Sequence, residues 1–157
     1  MNPSRAAQIR GHRDLPTIAA DYQHCIIDTP PRVSALARSA ILASDLVIVP
    51  VQPSSYDVWA AGETVQLIQE AQQFKPDIKA VFIINRRITG TAIGKEIEGA
   101  LAEMPFPILK TVIAQRVAFA ESSAGYTVIE SSVNSAAANE IKALSKEVLK
   151  VMEEKSW

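Results

Sequence analysis

The stretch that decides the fold of this chain is residues 24–57, which read HCIIDTPPRVSALARSAILASDLVIVPVQPSSYD. Two apolar runs, 25–27 and 46–49, are rich in β-branched residues and show no alternation of apolar and polar side chains. Such runs are typical of parallel strands that are covered by helices on both faces. Since ligands of parallel sheets bind beyond the carboxyl ends of the strands, we predict that Asp28 and the loop 50–57 share one edge of the sheet.

The rest of the chain continues the alternation of strands and helices. A helix is predicted between the first two strands, and the three segments would form a compact right-handed βαβ unit. Ser54 and Asp57 are spaced as a helix cap and start the next helix. Further strands are predicted at 80–84 and 108–113, and further helices at 58–74, 93–104, 118–123 and 137–151. This pattern indicates an α/β fold, a mostly parallel sheet with helices on both faces.

Composition limits the function classes. The chain has 157 residues, 16 basic and 17 acidic, so its net charge indicates neither a nucleic acid nor a membrane as partner. Residues 1–14 are basic and without periodicity and are predicted to be a flexible arm, with one domain over 15–157. The single cysteine, Cys25, lies in a predicted buried strand, which excludes a disulfide framework and favours the cytoplasm. No 18-residue apolar run is present.

A phosphate-binding loop of the form G-x-x-x-x-G-K-[ST] does not occur in the sequence. Residues 90–96, GTAIGKE, imitate it, but the glycines are one residue too close and Glu96 replaces the hydroxyl that holds magnesium. Because Gly94 and Lys95 fall within a predicted helix, we interpret this segment as helical and not as a phosphate cradle.

Several motifs in order resemble the ParA/MinD family of partition ATPases. They are residues 24–31 (HCIIDTPP), 43–54 (ASDLVIVPVQPS) with Asp57, 85–87 (NRR), 111–116, and 136–141 (AAANEI) with Leu144. The resemblance implies a P-loop NTPase-like fold that is incomplete at the N-terminus, because in this family the P-loop, its helix and the following strand precede the Asp-Thr-Pro-Pro segment. It also implies ATP and Mg²⁺ as cofactors, a homodimer, non-specific DNA binding and a centromere-binding, ParB-like partner.

The family resemblance assigns nucleotide roles residue by residue. Asp28 would act on Mg²⁺ through water and help to order the attacking water, with Thr29 as its neighbour in the switch segment. Asn85 would read the adenine edge, since an amide both donates and accepts hydrogen bonds. Arg86, Pro50 and Pro53 would complete the nucleotide pocket. The alternatives are structural: Asp28 as a turn residue, Asn85 as an ordinary loop residue, and the prolines as strand ends.

A basic surface for DNA is predicted at Arg86, Arg87, Lys95, Lys110 and Arg116, and Arg116 is favoured among them because it matches a strand-end arginine of the family. Non-specific phosphate contacts need only positive charge. The alternative is that these side chains are simply solvated, as most surface Lys and Arg are.

We therefore predict a nucleoid-associated cytoplasmic protein of ParA-like plasmid or chromosome partitioning, not bound to membranes because Glu153 and Glu154 interrupt the basic face of the last helix. Since the phosphate loop is absent, ATP binding by this chain alone is not expected and its ATPase activity stays open. The alternative is a non-hydrolysing short form that binds DNA or a partner and pairs with a full-length relative. An open sheet edge would also make the isolated chain prone to associate.

Overall fold

A computed structural model describes residues 15–29, 34–88, 90, 93–122 and 125–154. The predicted arm at 1–14 and the residues Pro30 and Pro31 lie outside these ranges. The elements are α1 (Leu15–Ala19), α2 (Ala35–Ala43), β1 (Leu46–Val51), α3 (Ser55–Gln72), β2 (Lys79–Ile84), α4 (Ile93–Ala102), α5 (Val117–Glu121), α6 (Val128–Ser131) and α7 (Ala136–Glu153). The predicted strands at 46–49 and 80–84 and the predicted long helices are confirmed.

The centre of the molecule is β2, which pairs in parallel with β1 from Leu46 opposite Lys79 to Val51 opposite Ile84. On one face of the sheet, Phe82 lies in a core that α3 and α4 share. On the other face, Val81 and Ile83 pack against residues 109–113 and the C-terminal part of α7. Helices therefore cover both faces of β2, which confirms the α/β class with a parallel sheet.

The predicted first strand at 25–27 is wrong. Residues 24–29 form neither helix nor strand, Cys25 is exposed, and the side chain of Ile26 is 95% exposed. A strand exists only where its backbone hydrogen-bonds to a neighbour, and none of the described residues pairs with this segment. The predicted βαβ unit with β1 is consequently absent, and Cys25 is not a core residue.

The prediction that β1 is covered on both faces is also wrong. Val49 and Val51 are buried against the α3 side, whereas Ile48 and Pro50 are exposed on the opposite side. In strands, successive side chains point to opposite faces. One face of β1 is therefore packed, and the other is open.

The predicted fourth strand, 108–113, is replaced by two isolated parallel bridges, Ile108 with Phe82 and Ala114 with Arg87. The carbonyls of Phe82 and Ile84 lie two residues apart, but the amides of Leu109 and Ile113 that donate to them lie four apart. The outer segment therefore bulges, which prevents a continuous ladder.

The bulge is stabilised by α7. Two amides within it, those of Lys110 and Thr111, donate to the carboxylate of Glu147 at 2.7 and 2.9 Å. Burial alone would raise the pKa of Glu147, but the hydrogen bonds from Thr111 and Lys110 outweigh it and hold that pKa below its ordinary value. A carboxylate on a helix thus replaces a neighbouring strand at the outer edge of the sheet.

The N-terminus of α3 is capped as the sequence predicts. Ser54 is the N-cap of α3, and its hydroxyl accepts a hydrogen bond from the Asp57 amide at 3.0 Å. At the other end of the molecule, the ammonium of Lys79 donates to the carbonyls of Val151 and Met152 at 2.7 and 3.3 Å, and also to that of Glu154. A side chain from the first residue of β2 therefore caps the C-terminus of α7.

In the described part of the chain, no helix combines the length and apolarity that a bilayer span requires.

Candidate functional site

The candidate site is the set of residues that follow the carboxyl ends of the parallel segments, here called the strand-end rim: 52–54 after β1, 85–87 after β2, and 115–116 after the outer segment. The amide of Asn85 donates to the Val51 carbonyl at 2.9 Å, and the amide of Gln115 donates to the Arg87 carbonyl at 2.9 Å. These bonds join the three strand ends side by side. In open parallel sheets, this is where ligands bind.

Arg86 is held in an unusual backbone conformation at the middle of the rim. Its φ is 53°, in the left-handed region, and among the described residues it is the one non-glycine with positive φ. The amides of Ile113 and Gln115, two residues apart, donate to the carbonyls of Ile84 and Arg87, which are three residues apart. The segment that follows β2 therefore carries one extra residue relative to the outer segment. Non-glycine residues in this region cost free energy, and they are enriched at functional sites.

Asn85 is half-buried, and its side chain is already engaged. Its Oδ1 accepts a hydrogen bond from the Arg86 amide at 2.9 Å, which fixes the turn that follows β2. With Oδ1 in this bond, the amide nitrogen of Asn85 remains as the group that can donate to a ligand. Its Oδ1 also keeps a second lone pair as an acceptor, so the role of Asn85 at an adenine edge stays a prediction.

Two predicted DNA contacts, Arg87 and Arg116, are brought together at the rim, and each is paired with a carboxylate. Arg87 contacts Glu98 on α4 at 3.1 Å. The Arg116 guanidinium donates to Oε1 of Glu140 on α7 from Nε at 3.0 Å and from Nη2 at 2.6 Å. This hydrogen bonding raises the pKa of Arg116 above its already high value.

Glu140 also orients the end of the outer segment, because its Oε2 accepts the Ala114 amide at 3.2 Å. One carboxylate therefore holds both the backbone and the arginine that follows it. Sequence reasoning missed Glu140 and Glu98 as partners. Glu140 was visible inside the motif 136–141, but no spacing rule links it to a residue 24 positions earlier.

The two predicted lysine contacts are not shown at the rim. Lys110 is exposed on the bulge of the outer segment, between the Phe82 and Ile84 pairings, and so it lies before the strand end. Lys95 belongs to α4, which confirms that it is helical, but its side chain is outside what the structure describes.

The predicted switch residues lie outside any helix or strand, whereas the predicted prolines lie in β1 and in the turn that follows it. Asp28 and Thr29 are exposed and make no hydrogen bond or ion pair to another described residue. Asp28 therefore does not close a strand beside the 50–57 loop, since no strand precedes it. Pro50 lies exposed within β1, and Pro53 is half-buried in the turn before α3. Over the described ranges, no group of three or more His, Cys, Asp or Glu side chains could hold a metal ion.

A helix-flanked parallel sheet with polar and basic residues at its strand ends is consistent with an α/β fold of the P-loop NTPase-like kind. A family model described as an AAA domain matches residues 2–80, half of the chain, and curated relatives are partition proteins. The chain belongs to this family, the ParA/MinD-like partition ATPases.

Three relatives illustrate the match. The chain is 24% identical over 140 residues to the maintenance of carboxysome distribution protein A of Halothiobacillus neapolitanus, covering 87% of this chain and 65% of the relative. It is 29% identical over 153 residues to the sporulation initiation inhibitor protein Soj of Bacillus subtilis, covering 93% and 59%. It is 27% identical over 137 residues to the chromosome-partitioning ATPase Soj of Thermus thermophilus, covering 85% and 55%. The chain thus spans between half and two thirds of the length of these relatives.

Proposed function

We propose that this protein acts in ParA-type partitioning of chromosomal or plasmid DNA and that the arginines of the strand-end rim contact the DNA backbone. The observation that carries the proposal is the convergence of Arg86, Arg87 and Arg116 at adjacent strand ends. Guanidinium groups bind phosphates with two parallel N–H donors. Nucleoid association in the cytoplasm and a ParB-like, centromere-binding partner belong to the same proposal.

The pairing with carboxylates sets the strength of this contact. Arg116 uses two donors on Glu140, so a phosphate would meet the remaining guanidinium donors. Glu140 and Glu98 would also repel an incoming phosphate. We therefore expect weak binding that falls steeply with salt, as is usual for sequence-independent contacts.

The residues present do not fit ATP and Mg²⁺ by themselves. The sequence has no glycine-rich lysine loop, and over the described ranges no group of three or more His, Cys, Asp or Glu side chains could hold a metal ion. We therefore propose that the residues of this sequence do not hydrolyse ATP unless a phosphate-binding loop is supplied to them; the alternative is a non-hydrolysing form that binds DNA or a partner and pairs with a full-length relative. In a calorimetric titration with Mg²⁺ present we expect no saturable ATP binding, and binding in the micromolar range would contradict this part of the proposal.

The DNA contact is tested with Arg116→Ala and Arg86→Ala in fluorescence anisotropy with a labelled duplex at low salt. Each change should weaken binding several-fold, and each should reduce the slope of log affinity against log salt by about 1 for every phosphate that the variant no longer neutralises. Arg38→Ala is the matched control, because Arg38 is also an exposed arginine paired with a glutamate, Glu70, but lies on α2. An affinity decrease of equal size in the control, or none in the two rim variants, would overturn the rim as the DNA surface.

A further inference from the structure

Arg116 and Glu140 form the more firmly held of the two ion pairs at the strand-end rim. Nε and Nη2 of Arg116 both donate to one oxygen of Glu140, Oε1, at 3.0 and 2.6 Å. The second pair, Arg87 with Glu98, is joined by one hydrogen bond of 3.1 Å. Two donors on one acceptor fix the plane of a guanidinium, whereas a single bond lets it rotate. The direction of the Arg116 side chain is therefore set by Glu140.

Glu140 is itself held in place from a second side. Its side chain is 19% exposed, and its Oε2 accepts the amide of Ala114, a buried residue, at 3.2 Å. The side chain of Glu98 is 42% exposed and has no second hydrogen bond to a described residue. If Glu140 rotated away from Arg116, it would leave the Ala114 amide without its acceptor, which costs free energy. Glu140 is therefore a fixed support for the arginine.

The guanidinium of Arg116 keeps one edge free. It carries five N–H donors, one on Nε and two on each Nη. Glu140 takes the Nε donor and one donor of Nη2, and no described residue takes a hydrogen bond from Nη1. The edge between Nη1 and Nη2 thus retains two parallel donors, the arrangement that binds a phosphate in bidentate fashion. The Arg116 side chain is 37% exposed, so a ligand can reach it.

We propose that Glu140 is a positioning residue for DNA: it holds the Nε side of Arg116 so that the Nη1–Nη2 edge meets a backbone phosphate, and its charge limits how tightly that phosphate binds. This role rests on the proposed contact of Arg116 with DNA. The hydrogen bonds order Arg116 before DNA arrives, which lowers the entropy lost on binding. The negative charge of Glu140 repels the phosphate and so opposes binding.

Two conservative variants separate the geometry of Glu140 from its charge. Glu140→Gln keeps the chain length and an oxygen that accepts from Arg116 but removes the charge, so DNA binding should tighten about threefold or more. This gain should shrink as added salt screens the charge. Glu140→Asp keeps the charge but is one methylene shorter, so it no longer holds Arg116, and binding should weaken several-fold. A role in the fold alone would not move the two affinities in opposite directions.

Fluorescence anisotropy with a labelled duplex measures the affinities between about 0.05 and about 0.15 M salt, where exposed charges are screened beyond roughly 10 Å. Glu70→Gln is the matched control and should leave the affinity unchanged. Glu70 also pairs with an exposed arginine, Arg38, but it lies near the end of α3 that is farther from the rim. Thermal unfolding by circular dichroism checks the fold of each variant, and Glu140→Gln decides by itself if Glu140→Asp does not fold.

The same changes in an Arg116→Ala background separate the role of Glu140 from the DNA contact itself. Without a guanidinium to position, each should change the affinity by less than about twofold. If Arg116→Ala weakens binding but Glu140→Gln does not tighten it, or a folded Glu140→Asp does not weaken it, the positioning role is overturned and the DNA contact stands. Effects that persist undiminished in the Arg116→Ala background also overturn it. If Arg116→Ala leaves the affinity unchanged, the DNA contact of Arg116 fails, and the role of Glu140 fails with it.

Discussion

The two strands of the sheet are similar in apolar composition but differ in how deeply their residues are buried. β1 reads LVIVPV and β2 reads KAVFII, and both are apolar with branched residues. After Lys79, every residue of β2 is buried, whereas β1 is buried at Val49 and Val51 alone. The difference comes from the number of neighbours, because β2 has a partner on both edges and helices on both faces. Apolar content alone therefore does not measure how deeply a strand is buried.

The two outer edges of the sheet differ in the same way. On the α7 side, Glu140 and Glu147 accept three backbone amides of the outer segment, those of Lys110, Thr111 and Ala114. On the β1 side, no described side chain takes this role. Carboxylates of α7 therefore hold one edge, whereas no described residue pairs with the other.

The largest expected effect is on the free energy of unfolding, and it compares a buried residue of β2 with an exposed residue of β1. Phe82→Ala removes a fully buried ring that packs near Phe106, with ring centroids 6.2 Å apart. We expect it to lower the free energy of unfolding by about 3–5 kcal/mol. Ile48→Ala on the open face should cost less than about 1 kcal/mol in the monomer, since the side chain is already partly hydrated. Urea denaturation of both variants measures the difference, and similar decreases would show that β1 is as well packed as β2.

A smaller effect is expected at the edge that α7 holds. Glu147→Gln leaves one side-chain oxygen for two amide donors, and we expect the free energy of unfolding to fall by about 1–3 kcal/mol. Glu103→Gln, an exposed glutamate with no described partner, serves as the control and should change little.

The difference in stability between the unmodified chain and Glu147→Gln should depend on pH, with a defined sign. The folded-state pKa of Glu147 is lowered, so its stabilising effect is present above the unfolded glutamate pKa of about 4.3 and is lost as the pH falls through the folded value. The difference between the unmodified chain and Glu147→Gln should therefore shrink below about pH 4. A difference that is constant from about pH 7 to about pH 3 would contradict the role of the charged carboxylate.

The cap on α7 should contribute less. Lys79→Met keeps the aliphatic stem but removes the donor to the last carbonyls of α7, and we expect a destabilisation of about 1 kcal/mol. Lys146→Met, on the same helix and exposed, is the control. Thermal unfolding by circular dichroism measures both, and equal melting temperatures for the two variants would remove Lys79 as a cap.

The smallest effect is expected at Arg86. Glycine adopts a positive φ without strain, so Arg86→Gly should be neutral or stabilise the fold by up to about 1 kcal/mol. DNA affinity should nevertheless fall as in Arg86→Ala. A destabilised Arg86→Gly would show that the arginine side chain, and not the turn, supports this part of the rim.

Much of the fold could be predicted because it depends on local chemistry. Ser54 caps α3, the apolar stripe of α7 packs on the sheet, and the run 80–84 forms the central strand. Part of the rim was also predictable, since Asn85 and Arg116 follow apolar runs that end on the same side of a parallel sheet. Their actual partners, the Arg86 amide and Glu140, depend on register and on a distant helix.

The sequence by itself determined the α/β class, the order of the main helices, the two paired strands and membership of the partition ATPase family. These features follow from hydrophobic period, helix caps and motif order, which are local properties of the chain. Only the tertiary structure decided that residues 25–27 pair with no described residue, that the outer segment bulges, and that Arg87 and Arg116 face glutamates. Each of these depends on which backbone lies next to which, because a strand exists only through the hydrogen bonds of its neighbours.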